Sequence, residues 1–208
     1  QVNYHVNSEK VYYGSTEDPK ILFYMDETVL RGAHNIENII AAATMANLFG
    51  IDNSHIGNAI KTFKTLEHRM EPVESPLPLR FINDSKATNI ASTMAAINCF
   101  KNITLILGGQ DKSESNFSEL LESMHDRVKY IICYGDAREN ILSHIINHGN
   151  SHAIYNFDAA VMKAVEVSEN DTTILLSPAC ASFDQFENFE ARGTQFKNWI
   201  SNLDKTND

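Results

Sequence analysis

No stretch of the sequence approaches the roughly 20 apolar residues that a membrane-spanning helix needs. Its first residues also lack the form of a signal peptide. Both absences point to a cytoplasmic protein with no membrane partner. Positive charge is scarce, with 17 Lys and Arg against 27 Asp and Glu and a formal charge of -10. A surface of that sign argues against nucleic acid or anionic membrane as the main partner. It still leaves room for a local cationic or amide-rich pocket that binds an anion. Cysteine is scarce too. Cys99, Cys133 and Cys180 form neither a CxxC pair nor a Cys/His zinc pattern. Three free thiols in a reducing compartment are expected, buried rather than reactive. The histidines include no HExxH, so no metal site made of protein ligands alone is assigned. Apolar residues are plentiful at 43%, enough for a core in one large domain or two modest ones.

Residues 1–30 are polar and irregular, with β-rich patches at Lys10–Tyr13 and Ile21–Tyr24 that predict two or three short strands. Helical spacing of Ile36, Ile39, Ile40 and Ala43 then predicts a helix over Asn35–Phe49, and a second is expected over Ser54–Lys64. Pro72, Pro76 and Pro78 break any helical pattern and favour an extended connection. A domain boundary is placed near Thr65–Leu66.

Beyond it the chain alternates. Strands are expected at Leu79–Ile82, Ile103–Leu107, Lys129–Cys133, Ala153–Asn156 and Thr172–Leu176, each followed by a helical pattern. Helix starts are read at Thr88 or Ser85, at Asn116 with Glu119, at Asp136 with Glu139, at Asp158, and at Ser182 or Asp184 with Glu187. This repetition predicts an α/β fold, a doubly wound, mostly parallel, Rossmann-like sheet. In such sheets ligands bind beyond the carboxyl ends of the strands.

Three strand-end segments carry candidate chemistry. Asn83-Asp84-Ser85-Lys86-Ala87-Thr88-Asn89 holds six polar residues in seven, which cannot all be buried cheaply. It reads either as a capped helix start or as an anion site made of helix amides and Lys86. Gly108-Gly109-Gln110-Asp111-Lys112-Ser113 is not a phosphate loop, because that motif needs glycine directly before the lysine. Its glycines allow a tight turn or close backbone approach, and Lys112 is a candidate carboxylate partner, unless the segment is a plain surface turn. Leu176–Gly193 combines small residues with a helix start. Ser182 could cap that helix and bind a ligand at once, whereas Phe183, Phe186 and Phe189 read as core.

Together these segments resemble the Mur ligase family, and within it the D-glutamate-adding branch. NDSKATN (Asn83–Asn89) is that branch's most distinctive string, and LSPACASFDQFENFEARG (Leu176–Gly193) its second. Gly108–Ser113 is similar to the family's GGxDK turn, with Ser113 where glycine is common. Glu67-His68-Arg69 resembles its domain-joining HR element, and Gly32-Ala33-His34-Asn35 with Asn38 resembles the G-x-HN-x-x-N start of a central-domain helix. The match runs in order from about Gly32 to Trp199.

The resemblance implies an ATP- and Mg2+-dependent ligase of peptidoglycan biosynthesis that joins D-glutamate to UDP-N-acetylmuramoyl-L-alanine through an acyl phosphate. Lys112 and Thr88 would hold the α-carboxylate of D-glutamate, and Ser182 with the backbone N–H of Phe189 its side-chain carboxylate. Lys86 would be catalytic, stabilising negative charge beside the reacting groups. Asn35 and Asn38 would contact adenine, Arg69 the ATP phosphates, and Asp84 the nucleotide. The family's uridine-nucleotide domain, its GxxGK[ST] loop, its Mg2+ ligands and its modified lysine have no counterpart in the sequence. Residues 1–65 are therefore expected to be the tail of an α/β ATP-binding central domain, and residues 66–208 the amino-acid-accepting domain. Such a chain would be inactive without the missing portions of the same enzyme. The alternative is a non-catalytic Rossmann-like module that binds an amino acid or nucleotide. The intact set of Lys86, Thr88, Lys112 and Ser182 favours the ligase. A plain dinucleotide-binding domain is disfavoured because no GxGxxG follows a predicted strand.

Overall fold

A computed structural model describes residues 4–6, 10–15, 17–28, 30, 32–64, 66–111 and 115–203, with Ala33 and His34 described through their backbone alone. The chain divides into two compact units, Gln1–Thr65 and Leu66–Asp208.

In the first unit, β1 (Tyr4–Val6), β2 (Lys10–Gly14) and β3 (Pro19–Tyr24) form an antiparallel meander in that order. Two helices follow, α1 (Ala33–Leu48) and α2 (Asn53–Thr62). The predicted start of α2 at Ser54 is one residue late, because Asp52 is the cap and accepts from the backbone N–H groups of Ser54 and His55. Val11, Leu22, Phe23, Ile39, Ala43 and Ile56 bury together as this unit's core.

The second unit holds a six-stranded sheet in the order β4-β5-β9-β6-β7-β8. Its strands are β4 (Glu71–Val73), β5 (Arg80–Asn83), β6 (Ile103–Gly108), β7 (Val128–Tyr134), β8 (Ser151–Ile154) and β9 (Thr173–Ala179). All pairs are parallel except β4 with β5. The doubly wound, mostly parallel sheet expected from the sequence is the architecture found.

β4 was not expected. Its Pro72 cannot donate a ladder hydrogen bond, and such a residue is tolerated where the strand has a neighbour on one side only. β4 is that edge strand.

Five helices cover the two faces: α3 (Ile90–Ile97), α4 (Leu120–Met124), α5 (Arg138–Ile145), α6 (Phe157–Val167) and α7 (Phe189–Ser201). The period of two in a strand decides the sides. Leu105, Leu107, Ile131, Cys133 and Leu175 pack with Ile97, Leu120 and Ile141, so α3, α4 and α5 cover one face. Ile106, Ile132, Tyr134, Ile174 and Leu176 pack with Val161, Phe196 and Ile200, so α6 and α7 cover the other.

Several helix starts differ from the sequence reading. Asn89, not Thr88 or Ser85, caps α3 by accepting from Ser92 N–H at 2.9 Å. Asn188, not Ser182 or Asp184, caps α7 through Ala191 N–H at 2.7 Å. Asn156, two residues before the expected start at Asp158, caps α6 by accepting from Ala159 N–H at 2.9 Å. No side-chain cap forms at Asn116 or Asp136: a 3-10 turn (Phe117–Glu119) precedes α4, and Ala137 stands at the start of α5. In each capped case the residue just outside the apolar period carries an amide side chain that reaches the first free N–H groups. Asn116 Oδ1 instead accepts from Ser118 Oγ at 2.5 Å, and Glu139 lies 3.5 Å from Arg138 Nε.

Candidate functional site

The three polar segments meet at the carboxyl end of β5, β9 and β6, where the sheet's order departs from chain order. Backbone bonds join them. Gln110 and Ala181 exchange both N–H···O bonds, at 2.8 and 3.1 Å, so the turn after β6 is stapled to the turn after β9. Gly109 makes that approach possible. At φ +123° it adopts a conformation that other residues rarely do, and a Cβ there would lie 2.2 Å from Ala181 O. On the other side Ala179 N–H donates to Ala87 O at 2.9 Å, tying β9 to the NDSKATN turn. Ala179 itself has φ +58°. The β6–β9 ladder slips at this point, between Ile106 and Gly108. The slip accommodates Pro178, which has no N–H to give to a central strand.

A cavity of about 450 Å³ opens between these turns, walled in part by Thr88, Asn89, Asp111, Asn116, Glu119 and Cys180. Thr88, Asn89 and Asn116 bring hydroxyl and amide groups to this wall, and Asp111 and Glu119 bring carboxylates. The Asp111 carboxylate is already engaged by Ser115 Oγ at 2.7 Å and Asn140 Nδ2 at 3.2 Å. Burial, the largest influence, pushes the Cys180 thiol up to about 12. It therefore stays protonated and serves as wall, not nucleophile.

Of the expected site residues, Thr88 lines this cavity and is half-buried. Ser182 is buried at the adjoining turn, and its carbonyl accepts from Gln185 and Phe186. Phe189 is the first residue of α7, where backbone N–H groups have no partner inside the helix. Lys86 is exposed, with Nζ 6.0 Å from the centre of the Phe189 ring. Thr88, Lys86, Ser182 and Phe189 thus belong to one neighbourhood, set by turns that are bonded to one another. Lys112 lies outside the described residues; its neighbour Asp111 lines the cavity. Arg69 is exposed in the segment leading into β4. Asn35 and Asn38 lie in the first unit, one turn apart near the start of α1.

Asp84, for which a nucleotide contact is expected, is held among protein groups. It is 5% exposed. Its Oδ2 accepts from Ser177 Oγ at 2.8 Å, and its Oδ1 accepts from Met70 N–H at 3.2 Å. Burial raises its pKa to about 6, against the opposing pull of the Ser177 hydroxyl, the Met70 amide and the Arg69 charge. Asp84 is a clamp that holds the Arg69–Met70 backbone against the end of β9.

Sequence reasoning missed the buried polar scaffold under these turns. Arg192 is fully buried. Its guanidinium donates to Ser85 Oγ (2.9 Å), Ser85 O (2.7 Å), Cys180 O (3.2 Å) and Tyr134 Oη (3.0 Å). A signal for it existed. Phe189, Arg192, Phe196 and Ile200 follow the spacing of one helix face, and an arginine on such a face needs buried acceptors. His68 was read only as part of a joining element. It is buried, with its Nδ1 3.0 Å from Asn83 Nδ2. Gly193 lets it in, since a Cβ there would lie 2.2 Å from His68 Nδ1. Among the described residues no group of three or more His, Cys, Asp or Glu could hold a metal ion. No helix among them is long and apolar enough to cross a membrane.

A doubly wound α/β domain with a polar cleft at the carboxyl end of its parallel strands defines a small-ligand-binding domain. Residues 68–180, just over half of the chain, match the family described as Mur ligase, glutamate ligase domain, and the chain belongs to that family. Similar curated proteins carry the name UDP-N-acetylmuramoylalanine–D-glutamate ligase. That of Clostridioides difficile is 42% identical over 89% of this chain and 42% of its own length. That of Caldicellulosiruptor bescii is 37% identical over 95% of this chain and 44% of its own length. The chain spans less than half the length of these relatives. Among solved structures, the UDP-N-acetylmuramate-alanine ligase MurC of Thermotoga maritima is similar over 99% of this chain and 46% of its own. Its TM-score is 0.69 at 12% identity. A pseudomurein peptide ligase type C from Methanothermus fervidus is similar over 97% of this chain and 42% of its own, with a TM-score of 0.67 at 19% identity. At those identities the likeness concerns the fold alone.

Proposed function

We propose that this chain is the amino-acid-accepting part of an ATP-dependent ligase that adds D-glutamate to UDP-N-acetylmuramoyl-L-alanine in peptidoglycan synthesis. Residues 66–208 are assigned to the accepting domain and residues 1–65 to the end of the ATP-binding domain. The observation that carries the reading is the stapling of three polar turns around one cleft by the Gln110–Ala181 and Ala179–Ala87 backbone bonds. A dicarboxylic amino acid needs two anion anchors at a fixed separation, and turns bonded to one another support that reading. Relatives named for the D-glutamate reaction, 37–42% identical over most of the chain, support the same choice.

In this reading Thr88 and Lys112 hold the α-carboxylate, while Ser182 and the Phe189 N–H hold the side-chain carboxylate. Hydrogen bonds of this charge-assisted kind contribute about 1.5–3 kcal/mol each. Holding both ends aims the amine at the activated carboxyl group of the partner substrate, which removes much of the entropic barrier to attack. Lys86, exposed one residue beyond the buried Ser85, supplies positive charge where the tetrahedral intermediate becomes negative. ATP with Mg2+ supplies the phosphoryl group that activates the carboxylate. Asn35, Asn38 and Arg69 are the residues of this chain that we assign to the nucleotide, and the Mg2+ ligands we assign to other parts of the enzyme. Asp84 acts on the nucleotide indirectly, by fixing the backbone next to Arg69.

Lys112→Ala in the full-length ligase tests the assignment. The KM for D-glutamate should rise at least about tenfold while the KM for ATP stays within about twofold. Equal rises in both would contradict the role. The coding sequence upstream of Gln1 gives a second check. A GxxGK[ST] segment within one domain length supports a ligase, and its absence favours a non-catalytic binding module.

A further inference from the structure

Thr88 of the first proposed carboxylate anchor sits on turn 84–89, both parts of the second sit on turn 180–189, and one buried side-chain pair connects these two turns. Ser85 has no exposed surface. Its Oγ donates to Phe189 O at 2.8 Å and accepts from Arg192 Nε at 2.9 Å, while its own carbonyl accepts from Arg192 Nη2 at 2.7 Å. The other side of the guanidinium reaches Cys180 O at 3.2 Å. Ser85 directly precedes Lys86 and stands three residues before Thr88. Cys180 stands two residues before Ser182, and Phe189 begins α7. The chain of bonds therefore runs from the first anchor to both parts of the second without passing through solvent. Ser85 N–H donates to Asn83 Oδ1 at 3.2 Å, which fixes its near end.

We propose that the Ser85–Arg192 pair is a length gauge: it sets the separation of the two anchors and so selects the length of the acidic amino acid accepted. The inference rests on the D-glutamate reading given above. D-Aspartate is one methylene shorter than D-glutamate and D-2-aminoadipate one longer. A fitted site separates substrates differing by one methylene by roughly 10–200-fold. Such discrimination requires that the anchors neither approach nor spread. Groups buried at this depth satisfy that requirement, because no water is at hand to replace a lost partner. Ser85 and Arg192 touch neither carboxylate of the substrate in this scheme, so they are positioning residues.

The test uses the full-length ligase, with kcat and KM measured for D-glutamate, D-aspartate, D-2-aminoadipate and ATP. Ser85→Ala should reduce the preference for D-glutamate over its two homologues by about tenfold, chiefly through the amino-acid KM, with the ATP KM within about twofold. Tyr134→Phe is the control. It removes another partner of the same guanidinium, at the end of β7, without touching the link between the anchors. It should lower the melting temperature and leave the preference unchanged. Should Ser85→Ala not fold, Ser85→Cys keeps the volume with a weaker donor and is read in the same way. A folded Ser85 variant with wild-type preference overturns the gauge, as does an equal loss of preference in Tyr134→Phe. A wild-type enzyme that ligates no D-glutamate overturns the proposed function and the gauge with it. One that ligates D-glutamate but fails the variant test overturns only the gauge.

Discussion

The middle and the carboxyl end of the second unit's sheet are built from opposite kinds of residue. Through the middle run Leu105, Ile106, Ile131, Ile132, Ile174 and Leu175, all without exposed surface and all apolar. A few residues further along the strands, Asn83, Asp84, Ser85, Ser177 and Ser182 are buried to a similar degree, and Arg192 with them. The middle is held by contacts that act equally in all directions, so a neighbour can shift slightly when one changes. At the end Asp84 and Arg192 have specified partners at 2.7–3.2 Å: Asp84 with Ser177 and Met70, Arg192 with Ser85, Cys180 and Tyr134. Removing one member there leaves the others unpaired and dry. The lesson is that burial in one sheet serves two ends. The apolar part supplies stability, and the polar part fixes positions.

The sharpest way to break the comparison is Arg192→Met. The replacement fills much of the space but strands Ser85 O, Cys180 O and Tyr134 Oη, and the expected loss is on the order of 4 kcal/mol. A urea denaturation midpoint measures it; a loss below about 1 kcal/mol would show that the polar end relaxes as freely as an apolar core.

Asp84→Asn comes next and carries a pH signature. The folded pKa of Asp84, about 6, lies above its ordinary value of 3.8 because burial disfavours the charge. The folded state then binds the proton more tightly than the unfolded one. The contribution of Asp84 is most favourable below 3.8 and is lost as pH rises through 6. The difference corresponds to about 3 kcal/mol. Asparagine keeps an acceptor for Met70 N–H without the charge. The variant should be more stable than the wild type at pH 7, with the gain fading towards pH 4. Denaturation midpoints across that range provide the check, and a constant difference would sink the idea.

The smallest effect belongs to the apolar middle. Ile106→Val should cost about 1 kcal/mol, within the usual range for one buried methylene. It should show no pH dependence and leave the KM for D-glutamate unchanged. A change in KM would mean that the two regions are coupled.

Much of this was legible in advance, for identifiable reasons. The runs Ile103–Leu107 and Thr172–Leu176 announced buried parallel strands, and both stand in the middle of the sheet. The polar turns at residues 83–89 and 177–186 were found because polar clusters after strands are local patterns. Helix starts were less legible. Asn89, Asn156 and Asn188 capped where neighbouring Ser, Thr or Asp were equally good candidates by type. Which side chain reaches the free amides depends on where the preceding strand lets the chain turn. β4 was illegible because three residues containing a proline carry no periodicity.

By itself the sequence determined the alternation of strands and helices, the parallel sheet that follows from it, and the polar turns after its strands. Each of these depends on residues within a few positions of one another. Only the tertiary structure decided what lies beneath the turns. Asp84 meets Ser177 across 93 positions, and Ser85 meets Arg192 across 107. Nothing local distinguishes a serine that will receive a guanidinium from one that faces water. Folding brought the partners together because a buried polar group is tolerated only when it is paired, and the sheet placed each of them where the other could be reached.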